Sequence, residues 1–286
     1  SQRRQTVATP HGRLTQRWTL SPETGADFES EHWWKDWSEY PAVRSLLEAR
    51  EYEFDAALFD RWAGAVGDDG LVMLNISQSP LKTLHWLAGQ QNATLFMVDH
   101  PAEMKALAQI HTEKALAFLE KVAAHPGAEI FISHDNLDSG FYPPYFYRDY
   151  CQEFFSRAAE IVHGHGKLLV VHACGRNKAL LKQVGASRVD CLEGITPPPL
   201  GDVALGGARA ASAYAAFTVN GGMDTAHLEL EADAEAQIHA YTRELFASMG
   251  DRRHFIFASS CMTSPLTPWA NLVHFRDAAR EYGRLN

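Results

Sequence analysis

The sequence predicts an α/β fold of the (β/α)8 TIM-type barrel class, on three observations. Short β-branched or apolar runs alternate with longer helical stretches, the order expected of βαβ units and a parallel sheet. No G-x-G-x-x-G follows the first strand and no P-loop is present, which disfavours a dinucleotide-binding sheet. Each strand-like run ends in polar residues, as at the mouth of a barrel, where active sites sit.

Residues 1–286 are expected to make a single barrel domain. Within it, 1–40 reads as an irregular, aromatic-rich excursion holding Trp33, Trp34, Trp37 and Tyr40. Those tryptophans either pack the excursion onto the barrel or line an apolar pocket. Pro41 opens a helical pattern over 41–66, closed by the turn GDDG at 67–70. Strands are then expected at 71–76, 129–133, 167–172, 189–192, 217–220 and 254–258. Helical periodicity fills 80–90, 101–124, 144–164, 176–184, 203–211 and 230–249. The stretch 101–124 is amphipathic, with Pro101 in the first turn, where its missing N–H is tolerated. Six strands stand where a full barrel has eight, so either two strands escape the pattern or N-terminal barrel elements lie outside this chain.

The formal net charge is −9, which argues against a nucleic-acid surface. No run of 18 apolar residues suggests a membrane span, and the first residues lack the apolar core of a signal peptide. Four cysteines are too few for a disulfide scaffold at this length. A cytoplasmic, reducing setting is therefore expected, in which neighbouring Cys and His read as metal ligands or catalytic groups.

The segment KLLVVHACG, 167–175, carries the sharpest signal. Side chains alternate faces along a strand, so His172 and Cys174 point the same way, and Gly175 lets the chain turn. An imidazole beside a thiolate suits Zn²⁺, which takes nitrogen and sulfur ligands tetrahedrally. Cys261 follows the strand HFIFA and closes the same site from another strand end. Three protein ligands leave a fourth position open, the arrangement of a catalytic zinc. Glu193, ending the neighbouring strand, is the candidate fourth, exchangeable ligand and a catalytic group. His134 and Asp135 are candidate acid/base groups, and Asn75 and Asn220 are candidates for orienting a cofactor or substrate. A lone buried His or Cys usually only packs. Cys151, within a helical run, and Cys191, expected to face the helices, receive that reading. HGHG at 163–166 is read as a helix end. Arg176 and Lys178, expected to begin a helix, are either solvated charges or a seat for an anionic thiol.

At HACG, NGGMD (220–224) and ASSCMTSPLTPWANL (258–272), the sequence resembles the uroporphyrinogen decarboxylase superfamily. Within it, the closer likeness is to the zinc-dependent, corrinoid-linked methyltransferases, and LEGITPPPLGDV (192–203) adds to it. The family's His-x-Cys-Gly strand matches His172, Cys174 and Gly175. Its later cysteine, with the following proline and asparagine, matches Cys261, Pro268 and Asn271, and its acidic residue is similar to Glu193. The resemblance implies methyl transfer between a small substrate, a methyl ether or a thiol, and a corrinoid carried by a partner protein. No Asp-x-His-x-x-Gly cobalamin motif is present, so the corrinoid need not be bound permanently. The RQAGRY motif of true uroporphyrinogen decarboxylases is also missing, which leaves a zinc-free decarboxylase or lyase as the alternative.

Overall fold

A computed structural model describes residues 2–22 and 25–284. Its first element is not irregular. Strands β1 (Gln2–Thr9), β2 (Gly12–Leu20) and β3 (Asp27–Glu31) form a three-stranded antiparallel sheet. The expectation for 1–40 fails here because these strands are polar and largely exposed. Only Leu14 and Gln16 of β2 are buried, so the alternation that marks a strand is faint.

A short 3₁₀ turn, Trp37–Glu39, is capped by Asp36 and leads into α1 (Tyr40–Ala49). The helical pattern expected over 41–66 breaks after α1, where Arg50 is extended, and resumes in α2 (Ala56–Val66). Asp55 restarts it by accepting a hydrogen bond from the Leu58 N–H.

The main sheet then follows in chain order: β4 (Met73–Asn75), β5 (Ile130–Ser133), β6 (Leu168–His172), β7 (Cys191–Ile195), β8 (Thr218–Met223) and β9 (Phe255–Ser259). All six strands are parallel and each pairs with the next. They are the six that the sequence predicts. Among the described residues no strand joins β9 back to β4, so the barrel is open. Between the strands lie α3 (Pro80–Asp99), α4 (Pro101–Ala123), α5 (Pro144–Tyr150), α6 (Gln152–Gly164), α7 (Leu181–Ala186), α8 (Leu205–Ser212), α9 (Thr225–Leu228) and α10 (Ala234–Ser248). After β9 comes α11 (Trp269–Tyr282), which the periodicity did not reveal because it buries only Asn271 and Ala278.

The strand period of two sorts the sheet into two faces. Phe131, Leu169, Val171, Leu192 and Val219 are fully or nearly buried in the main core that the helices share. On the opposite face Ile132, Val170 and Cys191 form a small cluster of their own. Around it Met73, Leu168 and Ile256 stay 40–51% exposed, because the unclosed barrel does not cover them. Cys191 therefore looks into the barrel and not toward the helices as expected, since it shares a face with Glu193 two residues on.

The N-terminal segment docks at a defect in α3. Gly89 breaks that helix at φ 75°, and the His32 ring fills the space a Cβ there would need. The Trp34 N–H donates to the Leu87 carbonyl at 2.7 Å. Trp34 is completely buried, with Phe96 at 4.6 Å and Trp37 at 5.4 Å between ring centroids. Trp37 in turn stacks on His100 at 3.6 Å. The tryptophans are thus packing residues of the N-terminal segment.

Candidate metal centre

The site forms where the parallel strands end. His172 is the last residue of β6, and Ala173, fully buried, follows it. Cys174 comes next on the same side as His172. Cys261 arrives from the end of β9. One ligand atom from each of His172, Cys174 and Cys261 lies within 4.8 Å of the other two. The sequence predicts this convergence of three side chains.

Local features hold it in place. Gly175 is required for space: a Cβ there would collide with the Asp138 carboxylate. The loops after β5 and β6 are laced across that contact, with Arg176 N–H donating to Asp138 Oδ2 at 3.2 Å and Ser139 N–H to the Arg176 carbonyl at 2.7 Å. Asn177, fully buried, ties the turn by donating to the carbonyls of Ala173 and Gly175 at 2.9 and 2.8 Å. Cys261 is placed by its buried neighbour. Ser260 donates its N–H to Met223 O at 2.9 Å and its hydroxyl to Ile195 O at 3.1 Å. Gly194, at φ 91°, sits at a shift in the β7 register, and a Cβ there would strike both the His172 ring and Ser260 O. Gly175 is the turn that the sequence suggests; Asp138, Asn177, Gly194 and Ser260 are ordinary polar or glycine positions there.

Glu193 does not join the three as an equal. Its Oε2 makes a short contact with His172 Nδ1, so the carboxylate holds that side of the ring. Burial alone would lower the His172 pKa, but hydrogen bonds to Cys174 and Glu193 outweigh it and hold it up to about 10. The hydrogen bond from His172 in turn lowers the Cys174 thiol. Both shifts favour the charged forms, and both draw on the contact between His172 and Cys174, with the Glu193 carboxylate behind the imidazole.

The other candidates fall into two groups. His134 and Asn75 are exposed at the mouth. His134 Nδ1 lies 3.1 Å from Asn75 Oδ1, and its ring centroid is 6.2 Å from that of His172. Asn220 pairs in register with Glu193, and its buried Oδ1 has no hydrogen-bond partner among the described residues.

Asp135 departs from expectation. It is completely buried, accepts from the Ser79 N–H at 3.2 Å, from the Ser79 hydroxyl, and from the Ser133 hydroxyl at 2.6 Å. Burial raises its pKa, and it has no exposed surface. It fastens the end of β5 to the start of α3. Asp135→Ala is expected to destabilise the fold by about 3 kcal/mol, because buried donors lose their acceptor. Urea unfolding checks this, and unchanged stability would refute the structural role.

His163 and Cys151 have structural places. His163 meets Asp190 at 2.8 Å, at the helix end that HGHG suggests. Cys151 lies between α5 and α6, its thiol 3.6 Å from Ser79 Oγ, and burial pushes its pKa up. Arg176 pairs with Asp138 at 3.7 Å, and α7 starts only at Leu181, so Arg176 and Lys178 begin no helix.

An open, parallel α/β barrel with a Cys/His cluster over its strand ends defines the class. The family comparison is specific. Residues 63–282, well over half of the chain, match uroporphyrinogen decarboxylase (URO-D), and the chain belongs to that family. A methyltransferase from Methanosarcina mazei shares the fold at a TM-score of 0.66, with 14% identity over 93% of this chain and 75% of that one. A Streptomyces avermitilis structure titled as an orotidine 5′-phosphate decarboxylase gives a TM-score of 0.34, at 14% identity over 73% of this chain and 70% of that one. Among curated proteins, none matches the chain by sequence. Among the described residues, no helix is long and apolar enough to cross a membrane.

Proposed function

We propose that this chain is a zinc-dependent methyltransferase that moves a methyl group between a small substrate and a corrinoid carried by a partner protein. The convergence of His172, Cys174 and Cys261 carries the proposal. The donor set fits zinc: one imidazole and two thiols stand close enough to contract onto a tetrahedral ion, with a position left over. A URO-D fold shared with a methyltransferase supports the transfer chemistry.

Zinc held there would supply Lewis acidity toward a methyl ether oxygen, or deprotonate a substrate thiol at neutral pH. The chain's own residues prepare for it. Cys174 is already inclined to the thiolate form, and His172 holds the proton that must leave when the ion binds. Glu193 fixes the imidazole through Nδ1, as a carboxylate behind a metal-bound histidine does. His134 and Asn75, at the rim, orient the substrate, with Asn220 offering an unused acceptor beside Glu193. Cytoplasmic residence fits thiols that must stay reduced.

The test is metal analysis of purified protein under reducing conditions, without chelator, followed by assays with methylcobalamin, thiols and methoxyarenes. About one zinc per chain and zinc-dependent methyl transfer are expected. Protein without zinc sinks the proposal, and a zinc-free decarboxylase or lyase then becomes the better reading.

A further inference from the structure

Two of the three clustered side chains can react with each other. The Sγ atoms of Cys174 and Cys261 lie within 4.8 Å, and the two thiols are in hydrogen-bond contact. A disulfide needs them at about 2.0 Å. The chain leaves one of them free to make that approach. Cys174 is held at its own backbone, because the Asn177 amide ties the carbonyls of Ala173 and Gly175 on either side of it. Cys261 is held only from behind, through Ser260. Cys261, Met262 and Thr263 make no backbone hydrogen bond among the described residues, and Met262 is 90% exposed.

Solvent reaches this pair of cysteines and not the others. Cys261 is exposed and Cys174 half-buried, whereas Cys151 and Cys191 are only 0% and 8% exposed. An oxidant therefore meets its thiols at the one place where two of them adjoin. Oxidation has a consequence here that it has nowhere else in the chain. The thiolate is the form of cysteine that binds a metal, and a disulfide offers none. With both sulfurs joined, His172 is the only one of the three ligands left, too few to keep zinc.

We infer that Cys174 and Cys261 form a reversible redox switch, in which a peroxide joins the two sulfurs and empties the metal site. The step balances with hydrogen peroxide as the oxidant. One thiol takes an oxygen atom and becomes a sulfenic acid, as the O–O bond breaks and a first water leaves. The other thiol attacks that sulfur, the S–S bond forms, and the oxygen departs as a second water. The pair gives up two electrons and two protons in all. When the thiolates hold a metal, the same oxidation expels the ion and releases two hydroxides. A reduced dithiol reverses the link by exchange, becoming a disulfide itself. The emptying of the site rests on the zinc reading; the link between the sulfurs does not.

The experiment treats zinc-free and zinc-loaded protein with hydrogen peroxide and maps the peptides by mass without reduction. One intramolecular Cys174–Cys261 link is expected, and the thiol count after unfolding should fall from four to two. A chromogenic chelator should collect about one zinc for each link formed. Dithiothreitol should restore all four thiols and the capacity for zinc. Cys174→Ser and Cys261→Ser should each form no link, and dimedone should trap the remaining sulfur of the pair as its sulfenic acid. Links to Cys151 or Cys191, links only between molecules, thiols that peroxide leaves untouched, or zinc retained in linked protein each overturns the inference. So does oxidation beyond the sulfenic acid without a link. The zinc-free arm separates the two readings. A Cys174–Cys261 link in protein that never loads zinc would uphold the redox pair while sinking the methyltransferase.

Discussion

Protein carrying Cys174→Ala is expected to retain almost no zinc after dialysis against a weak chelator, and its methyl-transfer activity should fall to background. On the proposed assignment, Cys174 is the ligand on which the metal would depend most. It sits between His172 and Cys261 in the cluster, and its thiol is already shifted toward the charged form that binds metal. Loss of the sulfur leaves one imidazole and one thiol from separate strand ends, too few for a tight site. Glu193→Gln separates an orienting role from direct ligation. The structure places this carboxylate against His172 Nδ1, so the variant should still bind one zinc but about 10–100-fold more weakly. Competition with a chromogenic chelator measures both. Full zinc in Cys174→Ala would contradict the assignment, and wild-type affinity in Glu193→Gln would remove Glu193 from the site.

Acid should unfold the chain earlier than its surface charge suggests, because two buried histidines resist protonation. His85 is 6% exposed and His111 is 2% exposed. Burial, with the charge of Lys82 nearby, pushes His85 down to about 4 from the ordinary 6.5. Burial pushes His111 to the same value, although its bond to the Gln78 carbonyl at 2.8 Å opposes the shift. Between pH 6.5 and about 4 the unfolded chain takes up protons that the folded chain refuses. Stability therefore falls as pH falls through that window, and these groups add nothing further below it. Each shift is on the order of 3 kcal/mol at about 1.4 kcal/mol per unit. The urea midpoint should accordingly drop steeply from pH 7 to pH 4.5, and a His85→Phe, His111→Gln double variant should flatten the slope. An equally steep slope in the double variant would refute the attribution.

The centre of the site was legible in the sequence because strand geometry is strict. His172 and Cys174 two residues apart at a strand end must share a face, and a cysteine just past a later parallel strand must open on the same rim. The same rule was misapplied to Cys191. It shares a face with Glu193, so it could not face the helices. The burial of Asp135 is not legible in the same way, because sequence shows that a strand end is polar but not whether that polarity faces the mouth or knits two elements. The N-terminal sheet was invisible because its strands bury almost nothing.

That sheet has a consequence for how the chain is made. His32 and Trp34 fit a socket formed at Leu87–Gly89, inside a helix that has not yet been synthesised when they emerge. At about 5–20 residues per second, the key waits roughly 3–10 s for its lock. Through that interval Trp33, Trp34 and Trp37 have no partner in α3 and are open to any hydrophobic surface within reach. The nascent chain therefore exposes aromatic surface that the finished protein covers.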